Sequence, residues 1–145
     1  MLTAEERLEE LERVFQKLED ESEECPIVVE GLRDVAALKR LGITKNVLAI
    51  NRGVSIFSFA EQISRSWKGA IILTDWDRRG GQLARMLREA FFANGVKAND
   101  HFRTQLVILS KKEIKDIESL PRFIENLRIH KRPQMRRDIL ASRQK

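Results

Sequence analysis

The sequence predicts an α/β domain built on a central, mainly parallel four-stranded sheet with helices on both faces. Three observations carry that expectation. Short apolar runs alternate along the chain with segments of helical periodicity. The runs, such as Ile27-Val28-Val29 and Ala70-Ile71-Ile72-Leu73, are continuous, as strands buried on both faces require. Strands separated by helices feed right-handed crossovers, so the C-terminal ends of all the strands share one edge.

The elements follow in order. Residues 3–21 predict a helix: Thr3 and Glu6 form a capping box, and Leu8, Leu11, Phe15 and Leu18 fall on one face. Pro26 opens the first strand, Ile27 to Val29, which ends at Glu30-Gly31. Asp34 to Leu41 predicts a helix stopped by Gly42, and Val47 to Ile50 a second strand. Ser55 to Trp67 is expected to be helical, and Ala70 to Leu73 is the third strand. Gly81 to Asn94 predicts a helix closed by Gly95. Leu106 to Leu109 is expected as the fourth strand, with Ser110-Lys111-Lys112-Glu113 capping a short helix behind it. Pro121 opens a last helix toward Arg128.

At 145 residues the chain suggests one domain with a single core. Its 42% hydrophobic and 34% charged residues fit a soluble protein with a heavily charged surface. No apolar run approaches the ~18 residues of a membrane span. The opening MLTAEERLEELERVF is acidic and amphipathic, unlike a signal peptide, so the expected location is cytoplasmic. Cys25 is the only cysteine, which excludes an intrachain disulfide and the paired thiolates of most structural zinc sites.

Charge is distributed unevenly. Residues 1–24 carry ten acids and three bases, whereas residues 128–145 carry seven bases and one acid. We therefore expect an N-terminal amphipathic helix over 1–24, a central domain over 25–127 and a basic tail over 128–145. Such a tail either binds a polyanion or stays solvated, paired with the acidic helix.

The stretch ILTDWDRRGGQLARML, residues 72–87, is the most informative. Asp75 and Asp77 follow a buried strand one residue apart, so both point the same way. Like charges that close raise each other's pKa unless a cation intervenes, and either a divalent metal or a neighbouring arginine would serve. Glu30 joins them if its strand lies beside the third. An oxygen-rich pocket of this kind suits magnesium. Gly31 and Gly80 stand where the backbone turns beside it, and Arg78 and Arg79 could meet a phosphate.

VVEGLRDVAALKRLG, followed about forty residues later by ILTDWDRRGGQLA, resembles the two halves of a Toprim domain. This is the catalytic module of primases, topoisomerases, several nucleases and the ribonuclease that matures 5S ribosomal RNA. The resemblance runs over roughly residues 26–110, through Val29-Glu30-Gly31 and Asp34 in the first half and Asp75, Asp77 and Gly80 in the second. It implies a single three-layer, Rossmann-like domain. It implies that Asp75 and Asp77 hold magnesium, with manganese as a substitute, and that Glu30 is a general acid/base or a further metal ligand. Gly31, Asp34 and Gly80 would support the site, and Arg33, Arg52, Arg78 and Arg79 would bind substrate. Trp76 departs from the pattern, since a small residue or proline is frequent there.

The chain has no tyrosine. Alone it cannot form the tyrosyl–DNA intermediate of Toprim topoisomerases, and it is too short for a primase's accessory domains. Aspartyl phosphatases and response-regulator receivers place their acid pair after the first strand, not the third. The expected function is a magnesium-dependent nuclease on nucleic-acid phosphodiesters, RNA before DNA, in RNA processing of the 5S maturation type. The alternative is a non-catalytic, metal-containing nucleic-acid-binding accessory protein associated with the ribosome. A protein partner fits either reading; a membrane fits neither.

Overall fold

The computed structural model describes residues 1–129. Five helices and four strands alternate: α1 (Ala4–Glu21), β1 (Ile27–Val29), α2 (Leu32–Arg40), β2 (Val47–Ala49), α3 (Ile56–Ser66), β3 (Gly69–Ile72), α4 (Arg78–Ala93), β4 (Lys97–Asn99) and α5 (His101–Ser110). Residues 120–129 form a further helix, α6, with Pro121 in its first turn. The basic tail expected over 128–145 lies, beyond Ile129, outside the described residues. Within them, Arg128 pairs with Glu12 of the acidic α1, Nη2 to Oε1 at 3.4 Å.

The sheet is wholly parallel, in the order β2-β1-β3-β4. Side chains alternate across it. Ile27, Val29, Ile71 and Leu73 pack into a core with α1, α2, α5 and α6. Val28, Ala70 and Ile72 pack into a second core with α3 and α4. This double burial accounts for the unbroken apolar runs. Leu8, Leu11, Val14, Phe15 and Leu18 bury α1 in the first core, and Thr3 caps it in the expected reciprocal box.

Two expectations fail. Leu106 to Leu109 is not a strand but the C-terminal half of α5, and the fourth strand is Lys97–Asn99. A short apolar run has no periodicity that separates a buried strand from a buried helix. The helical spacing becomes visible only when Phe102, Leu106 and Ser110 are taken together as the buried face. β4 carries no apolar run because it is an edge strand, with Lys97 exposed on the open side. The short helix expected behind Ser110 is also absent: residues 111–119 form turns, and Lys111 and Lys112 adopt left-handed backbone.

A candidate acidic site at the switch point of the sheet

Beyond β1 the chain crosses to β2 on one side, and β3 lies on the other. The strand order therefore reverses between β1 and β3, where open α/β sheets form their ligand crevice. Glu30 follows β1 and Asp75 follows β3, so the parallel pairing of these strands brings the two acids together. They touch through the backbone: the Asp75 N–H donates to Glu30 Oε2 at 2.8 Å. Both line a cavity of about 710 Å³. Asp34 is buried on the same wall and accepts from the Gly31 N–H at 3.1 Å. Arg33, Arg52 and Arg79 supply positive charge around the acids.

Asp77 sits differently. It is the N-cap of α4, and its Oδ1 accepts from the Gly80 N–H at 2.7 Å. It is exposed and, with Arg78, is not on the cavity wall. The structure thus gathers Glu30, Asp34 and Asp75 at the cavity and sets Asp77 beside them at the helix start.

Gly80 allows the loop to turn this tightly. A Cβ there would stand 1.9 Å from the Asp75 carbonyl oxygen, and the Thr74 hydroxyl donates to the Gly80 carbonyl at 2.8 Å. At Gly31 the backbone is extended, and a Cβ would meet nothing within 4 Å.

Several supports come from segments whose sequence signalled nothing. The Ile117 N–H donates to Asp75 Oδ1 at 3.0 Å. Trp76 donates its indole N–H to the Ile114 carbonyl and its backbone N–H to the Lys115 carbonyl, each at 2.8 Å. Arg103 of α5 grips the carbonyls of Thr74 and Asp75. Its one advance signal was to be the only formally charged residue in the sequence of α5.

The electrostatics follow from this crowding. Burial raises the Asp75 carboxyl to about 7, the charges of Glu30 and Asp34 add to the rise, and the Ile117 N–H opposes it. Burial likewise raises Asp34, against the Gly31 hydrogen bond. A carboxyl raised by folding keeps a proton that the unfolded chain releases at lower pH. The contribution of Asp75 to stability should therefore be greatest below the ordinary carboxylate range and be lost as pH climbs toward about 7. From about pH 4 to about pH 8 the denaturation midpoint of wild type should fall relative to that of Asp75→Asn. Parallel profiles would refute it.

Among the described residues, no three acids, histidines or cysteines are arranged to hold a metal by themselves. The donor set nevertheless suits a hard cation. The carboxylates of Glu30 and Asp75 share the cavity wall, that of Asp75 raised chiefly by burial and further by the neighbouring acids. Magnesium is commonly held by one or two carboxylates, with water and phosphate oxygens completing its shell.

A parallel sheet covered on both faces, with carboxylates at its switch-point crevice, defines an α/β domain with an acidic cluster where such sheets bind ligands. Residues 25–109 match the Toprim domain, and the chain belongs to that family. A UPF0292 protein of Methanosarcina barkeri is 45% identical over 125 residues, covering 85% of this chain and 86% of that protein. A UPF0292 protein of Methanocaldococcus jannaschii is 39% identical over 120 residues, covering 82% and 93%. Among solved structures, a protein from Aquifex aeolicus superposes with a TM-score of 0.66 at 28% identity, over 75% of this chain and 96% of that one. The Toprim domain associates the chain with metal-dependent action on nucleic acid. No helix among the described residues is long and apolar enough to cross a membrane.

Proposed function

We propose that the chain is a magnesium-dependent nuclease acting on nucleic-acid phosphodiesters, RNA in preference to DNA, in the cytoplasm. The observation that supports this most is the contact of Glu30 with Asp75 on the wall of a cavity that also carries Arg33, Arg52 and Arg79. Asp75 and the Asp77 oxygen not used in the helix cap are the groups that would hold the ion, with Glu30 beside them. Bound there, magnesium would stabilise the charge that builds on the scissile phosphate. The arginines would bind the flanking phosphates and orient the strand. Glu30 would take a proton from attacking water. With no tyrosine in the chain, water is the simplest nucleophile.

The test is incubation of the purified protein with labelled RNA and DNA panels in magnesium or manganese, beside calorimetric titration with Mn²⁺. Wild type should cleave, and Asp75→Asn should lose Mn²⁺ affinity by more than about tenfold. Equal Mn²⁺ binding by both proteins would refute the assignment of Asp75. Binding of nucleic acid without cleavage would favour the accessory-protein reading.

A further inference from the structure

Arg103 stands on α5, a helix otherwise without formal charge, and reaches across to the loop that follows β3. Its Nε donates to the Thr74 carbonyl at 3.1 Å and its Nη2 to the Asp75 carbonyl at 2.7 Å. The two nitrogens lie on one edge of a rigid planar fork. Carbonyls of consecutive residues in an extended strand point to opposite sides. A single fork that grips both therefore holds the chain out of the extended form, at the point where it must leave the sheet. The grip falls on a sensitive atom. The Asp75 carbonyl oxygen is the one that packs against Gly80 so closely that no Cβ fits between them. Guanidinium on one side and glycine on the other leave the Asp75 peptide one orientation.

That orientation decides the rest of the residue. The Asp75 N–H meets Glu30 Oε2, and Asp75 Oδ1 meets the Ile117 N–H. The Thr74 carbonyl shares its peptide plane with the Asp75 N–H, so a rotation that freed that carbonyl from Arg103 would also turn the N–H away from Glu30. The charge of Arg103 matters as well. Both of its hydrogen bonds go to carbonyls, and among the described residues it is in no ion pair. It is partly buried, and it interacts favourably with the charges of Glu30 and Asp75. The cation that the paired acids call for is thus supplied in part by a residue 28 positions downstream of Asp75.

We infer that Arg103 is a positioning residue of the acidic site: its fork sets the Thr74–Asp75 backbone so that Asp75 meets Glu30, and its charge offsets that of the two acids. This deepens the proposed function, and it rests on that reading only for the role of Asp75 as an ion ligand.

The experiment compares wild type, Arg103→Met and Arg103→Lys by native-state amide hydrogen exchange and by Mn²⁺ titration. The Asp75 amide reports the local geometry. The Ile71 amide, bonded to the Pro26 carbonyl at 2.8 Å within the sheet, reports the fold as a whole. In Arg103→Met the Asp75 amide should exchange at least about tenfold faster with Ile71 unchanged, as expected for a lost charge-assisted hydrogen bond, and Mn²⁺ affinity should fall because the misplaced Asp75 carboxylate outweighs the removal of a nearby positive charge. Arg103→Lys should bind Mn²⁺ no better than Arg103→Met and leave the Asp75 amide deprotected, because its ammonium still repels the ion and has no fork to hold the two carbonyls. Should Arg103→Met not fold, Arg103→Lys carries the test, with the same contrast between Asp75 and Ile71. Unchanged exchange at Asp75, equal acceleration at both amides, or full recovery of both readouts by lysine would overturn the assignment. If wild type binds no Mn²⁺ but the Asp75 amide is selectively deprotected, the metal reading fails and the positioning role stands.

Discussion

Gly80→Ala should destabilise the protein by at least about 3 kcal/mol, above the usual range for overpacking, and should dismantle the acidic loop. The new Cβ would lie 1.9 Å from the Asp75 carbonyl oxygen and 2.4 Å from its carbon. Both are backbone atoms, so no rotamer change relieves the clash. Either α4 withdraws from the loop or the Asp75–Trp76 peptide turns, and the second takes the Asp75 carbonyl out of the Arg103 fork. The neighbouring glycine is the control. At Gly81 the nearest atom to an added Cβ is Arg103 Nη2 at 3.9 Å, an ordinary contact. Gly81→Ala should be neutral or stabilise by up to about 1 kcal/mol, since alanine is the better helix former. Urea denaturation of the two variants checks the pair; equal effects would remove the close approach as the reason for glycine at 80.

Glu30→Gln should reduce cleavage by about 10²–10⁴-fold, the usual worth of general acid–base help. Glutamine retains an oxygen that can accept from the Asp75 N–H, so the bond joining β1 to the acidic loop can persist while charge and basicity disappear. Nucleic-acid binding should hold or tighten, because a negative charge beside the phosphate is gone. Single-turnover cleavage and equilibrium binding separate the two effects. Full activity in Glu30→Gln would place the chemistry elsewhere. No protein–nucleic acid adduct should survive denaturation in either protein; a trapped adduct would overturn the hydrolytic reading.

The sequence exposed those parts of the fold that follow local rules. Ile27 to Val29 and Ala70 to Leu73 were legible as strands because burial on both faces leaves an unbroken apolar run. Glu30 and Asp75 were legible as neighbours because each follows such a strand. Lys97-Ala98-Asn99 was not legible: an edge strand half open to solvent needs no apolar run, and Leu106 to Leu109 offered a more apolar competitor. Arg103 and Ile117 were hidden for another reason. They reach Asp75 across 28 and 42 residues, and their contacts depend on how α5 and the following turns pack, which no local pattern encodes. Asp77 shows one residue type serving two readings, since an acid after a strand and an acid before a helix look alike in sequence.

The turns behind α5 have a consequence for where the working unit ends. The stretch that matches the family stops at residue 109, yet Ile114, Lys115 and Ile117 supply three of the hydrogen bonds that hold Trp76 and Asp75. The same turns are moored to the first helix, where Glu113 pairs with the buried Arg7 at 3.2 Å and Arg7 lies over the Phe123 ring. A fragment trimmed to the recognisable domain would keep every signature acid and lose the scaffolding that aims one of them. The smallest transplantable version of this site therefore extends from α1 through the turns into α6, well beyond the borders that likeness alone would draw.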